Sequence, residues 1–316
     1  MIICVDNCEQ RSLFNALRIQ KAFIVQTPIT STNFDDPSTE PQNLRLELLE
    51  HIATIQTLPT FNLLSHIITN FLSRKDNFNI QELAEVARDP VISAKLIGVA
   101  NSAYYGNGEI KTVQAAIMRL GIDRSLSLIN FCASNQAFDT RTCRSFESAR
   151  YWYESIIFAL TIKRVFMAST IITHYDAEEI YSIGLLKNIG LLLMVYCLPD
   201  KMNHIFLHES NKSVYQRQLD HFGFHHYEMG GHLLRAWALP DDFSIPVSQL
   251  CNPSFEGEHQ IIVFMMRRCK ELIKHNFDYE NESMDKLLGL NEEKLMLIKS
   301  EFDADSEWMI SLISMM

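Results

Sequence analysis

The chain has 316 residues, of which 47% are hydrophobic and 21% are charged. These values exclude a disordered chain, a collagen-like repeat and a coiled-coil rod, and the length predicts two packed units at about 150 residues each. Asp and Glu exceed Lys and Arg by 38 to 28, for a net charge of -10. Such a field repels phosphate backbones, so we expect no nucleic-acid partner.

Cysteine usage and the start of the chain predict a cytoplasmic protein. The seven cysteines are odd in number and form no C-x-x-C pair, which is typical of reduced thiols. The opening MIICVDNCEQ lacks the basic start and long apolar run of a secretory signal. Residues 180–199 are apolar enough to span a membrane, but Lys187 and Asn188 lie near the middle, where a Lys costs about 3 kcal/mol. We therefore expect a buried helix and no membrane partner.

The first folded element is predicted after a linker. Residues 1–43 combine a short β-like opening with a Pro- and Asp-rich stretch, and we interpret them as an appendage and linker. From Leu44 the apolar residues recur with helical period, which places two sets of residues on helix faces: Leu44, Leu48, Ile52 and Ile55, then Phe61, Leu64, Ile68 and Phe71.

Capping signals divide the first half into helices. Asp89 before Pro90 predicts a helix start, and a capping box is expected at Asn79 and Glu82. Thr112 and Gly121 bracket a further helix, and Asp123 is expected to cap the next one.

A polar break at residues 139–145 predicts a boundary between two lobes. Beyond it the pattern predicts helices at Phe146–Ile172, Ala177–Cys197, Lys201–His208, Ser213–Phe222, His226–Ala238 and Glu258–His275. Turns are expected at several prolines, including Pro240, Pro246 and Pro253. The predicted fold is all-α, a two-lobed helical bundle.

Three segments carry a more specific signal than periodicity. They contain Asp89-Pro90 with Lys95-Leu96-Ile97 and Ala100-Asn101-Ser102-Ala103-Tyr104-Tyr105-Gly106, then Ala115-Ala116-Ile117 with Leu120-Gly121, then Gly184-Leu185-Leu186-Lys187-Asn188-Ile189-Gly190. In this order and spacing they resemble the HDOD domain, a bacterial signalling relative of the HD metal-dependent phosphohydrolases. Further similarity lies in Trp152, Ser155 and the segment from His226 to Pro240. The resemblance covers residues 44–252 and leaves 253–316 as a helical tail packing on the domain.

The resemblance implies that the second lobe is a degenerate HD-like core. Where HD hydrolases carry an early His this chain has Glu154, and where they carry a His-Asp dyad it has Lys187 and Asn188. His226 remains, but no His is found near 250–252. Protonated lysine has no lone pair, and asparagine offers only a neutral oxygen. We therefore expect a vestigial metal site at Glu154, Lys187, Asn188 and His226, with no metal, no cofactor and no catalytic residue.

The arrangement inside this pocket is open at the sequence level. Glu154 and Lys187 could form a buried ion pair in which the ammonium stands where a cation stood in the ancestor. In the alternative, the Lys187 ammonium reaches solvent along its aliphatic stem and Glu154 is exposed.

Two surface features have competing interpretations. Asn101, Ser102, Tyr104 and Tyr105 lie at a turn before Gly106 and form a candidate binding surface. Alternatively, the two polar residues fix a helix end and the tyrosines pack between the lobes. A cluster of cations is interpreted as a solvated helix face rather than an acidic-partner site: Arg267, Arg268, Lys270 and Lys274.

The expected function is a non-catalytic bacterial regulator of signal transduction that acts through protein–protein interaction with signalling proteins. One alternative is a metal-free receptor for a nucleotide-like small molecule, for which Lys187 is the only basic residue that the resemblance places in the pocket. A second alternative is a residual metal-dependent phosphohydrolase.

Overall fold

The fold is all-α, as predicted. The computed structural model describes residues 41–58, 60, 80–106, 108–134, 143–207, 211–278 and 282–314, and no β-strand is found among them. The first set of helices comprises α1 (Pro41–Ile52), α2 (Ile80–Val86), α3 (Pro90–Ala100), α4 (Val113–Leu120) and α5 (Ile122–Ser134), with a 3₁₀ turn at Ala103–Tyr105. The second set comprises α6 (Ser148–Ala168), α7 (Ala177–Leu186), α8 (Ile189–Cys197), α9 (Pro199–Leu207), α10 (Val214–Phe222), α11 (His226–Ala236), α12 (Asp241–Gln249), α13 (Gln260–Lys274), α14 (Glu282–Leu288) and α15 (Glu292–Ser314).

The capping residues act largely as the sequence predicts. The Asp89 carboxylate accepts bonds from the first free amides of α3, and Thr112 caps α4, which ends at Gly121. Asp123 is not a cap, because α5 already begins at Ile122 and Asp123 lies in its first turn. The predicted face of α1 is buried, from Leu44 to Ile55. The predictions at Asn79 with Glu82 and at 61–71 depend on residues outside the described part.

The long apolar stretch is buried, but it forms two helices rather than one. Ala177–Cys197 is the one stretch in the described residues that is long and apolar enough to cross a membrane, and 83% of its apolar window lies inside the fold. The helix breaks at Lys187 and Asn188, which form a turn between α7 and α8. That break directs both side chains toward the core and places them at the candidate site.

Pro246 does not end a helix as expected, because it lies inside α12. Proline removes one backbone donor and crowds the preceding turn. The helix persists because Phe243, Pro246 and Val247 are buried against α11. Tertiary packing here overrides the local propensity of one residue.

Tryptophan side chains join the two sets of helices. The Trp152 indole N–H donates to the Asp89 carboxylate at 2.5 Å, and that of Trp237 donates to the Ile55 carbonyl at 2.9 Å. The ammonium of Lys95, on α3, lies 4.2 Å from the centroid of the Trp237 ring. Residues 135–142, which include most of the expected boundary, lie outside the described part, so the lobe boundary remains a prediction.

The tail helices contact α6 and α13 through ion pairs, of which one is fully buried and the other is partly exposed. Arg164 on α6 pairs with Glu301 and Asp305 on α15 at 2.7 and 2.5 Å. Arg268 on α13 is fully buried and bonds both oxygens of Asp285 at 2.7 and 2.8 Å. The solvated basic face expected on this helix is therefore wrong for Arg268.

Candidate functional site

The break between α7 and α8 lies close to the start of the helix that carries His226. The turn of Lys187 and Asn188 leads into α8, whose Gly190 packs against the first turn of α11. A Cβ atom on Gly190 would lie 1.9 Å from the His226 carbonyl oxygen. Only glycine permits this approach, which holds the start of α8 against the start of α11.

Lys187 is buried without an anionic partner. The Lys187 ammonium lies 4.5 Å from the centroid of the Phe158 ring, and no carboxylate in the described residues lies within 4.0 Å of it. Burial lowers the pKa of Lys187 to about 7, the Glu154 charge partly opposes this, and Lys270 adds to it. Glu154 instead pairs with Arg150 at 2.8 Å. The Glu154–Lys187 ion pair is therefore wrong, and so is the solvent-exposed alternative for Lys187.

Gln218 fixes the tautomer of the His226 imidazole, and burial keeps that ring neutral. The Gln218 carbonyl oxygen lies 3.0 Å from the His226 backbone nitrogen and 2.6 Å from its Nδ1. Since this oxygen only accepts, Nδ1 carries the proton and Nε2 keeps the lone pair. Burial lowers the pKa of His226 well below its usual value, and the charges of Lys270 and Lys187 act in the same direction.

Lys270 belongs to this site, although the sequence interpretation placed it on a solvated face. Its ammonium donates to the Tyr227 hydroxyl at 3.1 Å and lies 3.8 Å from the Cys251 sulfur. The ring centroids of Tyr227 and Tyr215 are 4.9 and 5.1 Å away. A usable signal was present, because Lys270 follows two buried residues at intervals of four, Ile262 and Met266.

These residues do not fit a divalent metal. No group of three or more His, Cys, Asp or Glu side chains in the described part is arranged to hold one. His226 offers one lone pair, but the Glu154 carboxylate is engaged by Arg150. The positive charges of Lys270 and Lys187, which help to lower the pKa of His226, also oppose the binding of a dication.

The candidate binding surface is held by backbone contacts and presents one exposed ring. The Asn101 amide bonds both the nitrogen and the oxygen of Ile110 at 2.7 and 2.8 Å. Tyr104 is 58% exposed and stands edge-on to Tyr105 at 5.0 Å. Ser102 is half-buried. Asn101 therefore stabilises the turn, while Tyr104 faces solvent instead of packing between the helix sets.

A second buried polar cluster was not anticipated. Asp242 at the start of α12 accepts from the Tyr175 hydroxyl at 2.7 Å and pairs with Lys111 at 2.6 Å. The His259 Nδ1 lies 2.7 Å from the same hydroxyl, and His174 Nε2 lies 3.3 Å from the carboxylate. Burial acts to raise the pKa of Asp242, but the bonds from Lys111 and Tyr175 outweigh it and the pKa is lowered. This network links the loop before α4 to the second set of helices.

Comparison with known proteins identifies the family. The HDOD domain model matches residues 58–253. The MmoQ response regulator of Methylococcus capsulatus superposes with a TM-score of 0.64 at 19% identity, covering 77% of this chain and 98% of that one. A virulence factor of Campylobacter jejuni superposes at 0.57 with 16% identity, covering 79% and 98%. No curated protein matches. These likenesses show the fold, and the family match shows that the chain belongs to the HDOD domain family.

Proposed function

We propose that this chain is a non-catalytic regulator of bacterial signal transduction that works by binding other signalling proteins. The observation that carries the proposal is Lys187, whose ammonium is buried where the HD resemblance expects a metal ligand. A lysine there supplies positive charge but no lone pair while it is protonated. The pocket then keeps its shape without the means to activate water.

The ligand set supports the same conclusion. Open catalytic metal sites use about three protein ligands. Here His226 alone retains a suitable nitrogen, Asn188 offers a neutral oxygen and Glu154 is bound by Arg150. Phosphoryl hydrolysis by metal-activated water needs the missing ligands.

Two further observations agree with a cytoplasmic signalling role. The similar structure from Methylococcus capsulatus is described as a response regulator. Cys132, Cys197 and Cys269 are free and buried, as is usual in a reducing compartment. We propose a cytoplasmic location on this basis.

Metal content and hydrolysis test the non-catalytic assignment. We expect purified protein to hold far less than one equivalent of transition metal, and to release no phosphate from a panel of phosphomonoesters and phosphodiesters. A triple variant, Glu154→His with Lys187→His and Asn188→Asp, serves as the positive control because it restores lone-pair donors. Stoichiometric metal in the wild-type protein, or phosphate release that a chelator abolishes, would overturn the proposal.

Partner binding tests the interaction role. The exposed Tyr104 makes the 101–105 turn the preferred contact surface. Affinity capture from the native host should retain a signalling protein on wild-type chain and lose it on Tyr104→Ala. Met118→Ala, at another exposed apolar side chain, is the matched control. A protein retained equally by all three chains would exclude this surface.

A further inference from the structure

A cavity of about 300 Å³ lies between α11 and α12. Its wall on α11 consists of Glu228, His232 and Arg235, which follow one another at intervals of four and three residues and therefore share one helix face. The volume is within the range of small-molecule sites, about 300 to 1,000 Å³. We call this cavity the α11–α12 groove.

The opposite wall of the groove combines apolar and polar side chains. Ile245, Ser248 and Gln249 line it from α12, and Phe255 lines it from the segment that follows. A Cβ atom on Gly231 would lie 2.6 Å from the Ser248 Cβ atom, so only glycine lets the two helices approach this closely. This contact fixes the spacing of the two walls.

The charged side chains of the groove keep free hydrogen-bonding capacity. Arg235 donates to Asp241 through Nε alone, at 3.2 Å, and its two terminal nitrogens bond no residue in the described part of the chain. Arg45 bonds only the Oε1 atom of Glu228, at 3.1 and 2.5 Å, which leaves Oε2 without a donor among the described residues. Arg235 and Glu228 can therefore each bond a ligand group of opposite charge.

Neutral donors and acceptors accompany these two charges. His232 lies between them on α11, and burial lowers its pKa, so the imidazole is neutral at pH 7 and offers one donor and one acceptor. The Gln249 Oε1 atom accepts from Asn252 at 2.9 Å, while its Nε2 amide donates to no residue that the structure describes. These groups match a peptide unit, which itself carries one donor and one acceptor.

The separation of the two charges indicates the length of the ligand. Seven residues of α-helix place Glu228 and Arg235 about 10 Å apart along the axis of α11. One extended residue spans about 3.5 Å and two span about 7 Å, so the charges of a dipeptide come closer to this separation than those of a free amino acid. The long side chains of Glu228 and Arg235 can cover the remainder. Ile245 and Phe255 supply an apolar surface for the side chains of the ligand.

We propose that the α11–α12 groove binds a dipeptide with apolar side chains, whose ammonium group contacts Glu228 and whose carboxylate contacts Arg235. Charge-assisted hydrogen bonds at both ends fix its direction, and His232 and Gln249 bond the peptide unit between them. The site goes beyond the proposed function, because it uses none of the residues that carry that proposal. Its failure would leave the metal, hydrolysis and partner-capture results unchanged.

The test titrates leucyl-phenylalanine into the full-length chain by calorimetry. We expect saturable binding with a Kd of about 1 mM or below, and about tenfold weaker binding after N-acetylation or C-amidation of the dipeptide, since each removes one charge. Arg235→Gln should bind the free and the amidated dipeptide with the same affinity, and Glu228→Gln should bind the free and the acetylated dipeptide with the same affinity. Arg88→Gln is the matched control, because Arg88 pairs with Glu85 and does not line the groove. It should change the affinity less than about twofold.

The blocked dipeptides test both contacts on the wild-type chain, so the result does not depend on the stability of a variant. Loss of discrimination at one end, confined to the variant that removes the partner of that end, would confirm the orientation. Absence of saturable binding would overturn the proposal, as would equal binding of the free and blocked dipeptides by the wild-type protein. Binding of free leucine as tight as that of the dipeptide would also contradict it, because one residue is too short to join the two charges.

Discussion

Two buried polar clusters in this molecule differ in how their charges are matched. At Asp242 one carboxylate is surrounded by Lys111, Tyr175, His174 and His259, and every contact joins a donor to an acceptor. At Lys187 a cation is buried under an aromatic ring without an anion. Both clusters connect separate helices, but only the first satisfies its own charge.

The difference predicts opposite contributions of the two clusters to stability. A matched cluster stabilises the fold in which it is formed, and its removal leaves buried partners unsatisfied. An unmatched cluster costs stability, and strongly perturbed groups of this kind are concentrated at functional sites. We therefore expect the Asp242 cluster to stabilise the fold and the buried Lys187 to lower its stability.

Asp242→Ala should produce the largest loss of stability, about 4 kcal/mol, because it leaves Lys111 and Tyr175 without their acceptor. Denaturant unfolding at pH 7 measures it. Because folding lowers the pKa of Asp242, the stabilisation that its carboxylate provides is complete above the pKa of the unfolded chain. This stabilisation is lost as the pH falls through the lower pKa of the folded protein. Asp241→Ala, at an exposed surface pair with Arg235, should cost less than about 1 kcal/mol. Equal losses for the two variants would refute a structural role for the Asp242 cluster.

Gly190→Ala should cost about 3 kcal/mol, because its Cβ atom would overlap the His226 carbonyl and force α8 away from α11. Gly230→Ala is the matched control across the same contact, since its Cβ atom would approach Gly190 no closer than 3.1 Å. Thermal and denaturant unfolding of both variants compare the two costs. A Gly190 variant as stable as the Gly230 variant would contradict the close approach that forms the Lys187 site.

Lys187→Met should stabilise the protein by about 2 kcal/mol at pH 7, because it removes an unpaired buried charge. The folded pKa of Lys187 is about 7, below its usual value of 10.5. The cost of burying the charged form is therefore complete below about pH 7 and is relieved as the pH rises. Above pH 7 the free energy of unfolding of the wild-type protein should increase by up to about 1.4 kcal/mol per pH unit because of this group.

The difference between the two chains isolates this contribution. Lys95, whose burial lowers its pKa to about 8, adds a similar slope to both proteins and cancels. Unfolding curves at several values between about pH 6 and pH 9 provide the measurement. Parallel curves for wild type and Lys187→Met would show that the Lys187 ammonium is solvated or paired.

The sequence predicted the helices well and the site only in part. Local signals such as Asp89 before Pro90 and Thr112 with Gly121 depend on neighbouring residues, and the structure confirms them. The spacing of apolar residues does not predict the break between α7 and α8, because buried apolar residues flank Lys187 on both sides. The Arg150–Glu154 contact is an i,i+4 pair, and this spacing can be recognised in the sequence.

The second cluster shows why long-range polar contacts escape such reasoning. Tyr175 lies 67 positions from Asp242 and 84 positions from His259 in the sequence, so no spacing rule connects it to either partner. The solvated face predicted for Lys270 is wrong for a related reason, because the Lys270 ammonium contacts Tyr227 on another helix and no local spacing indicates that contact. Tertiary packing decides both cases.

Tyr104→Ala should have the smallest effect on folding, less than about 0.5 kcal/mol, because the ring is 58% exposed. Asn101→Ala should cost more, about 1 to 2 kcal/mol, since it removes both bonds to Ile110 that hold the turn. Denaturant unfolding of the two variants gives the stabilities, and partner capture gives the binding. Loss of a partner in the stable Tyr104 variant would locate binding at the ring itself, whereas a loss confined to the Asn101 variant would assign it to the shape of the turn. A large destabilisation by Tyr104→Ala would instead make the ring a structural element and exclude it as a dedicated contact.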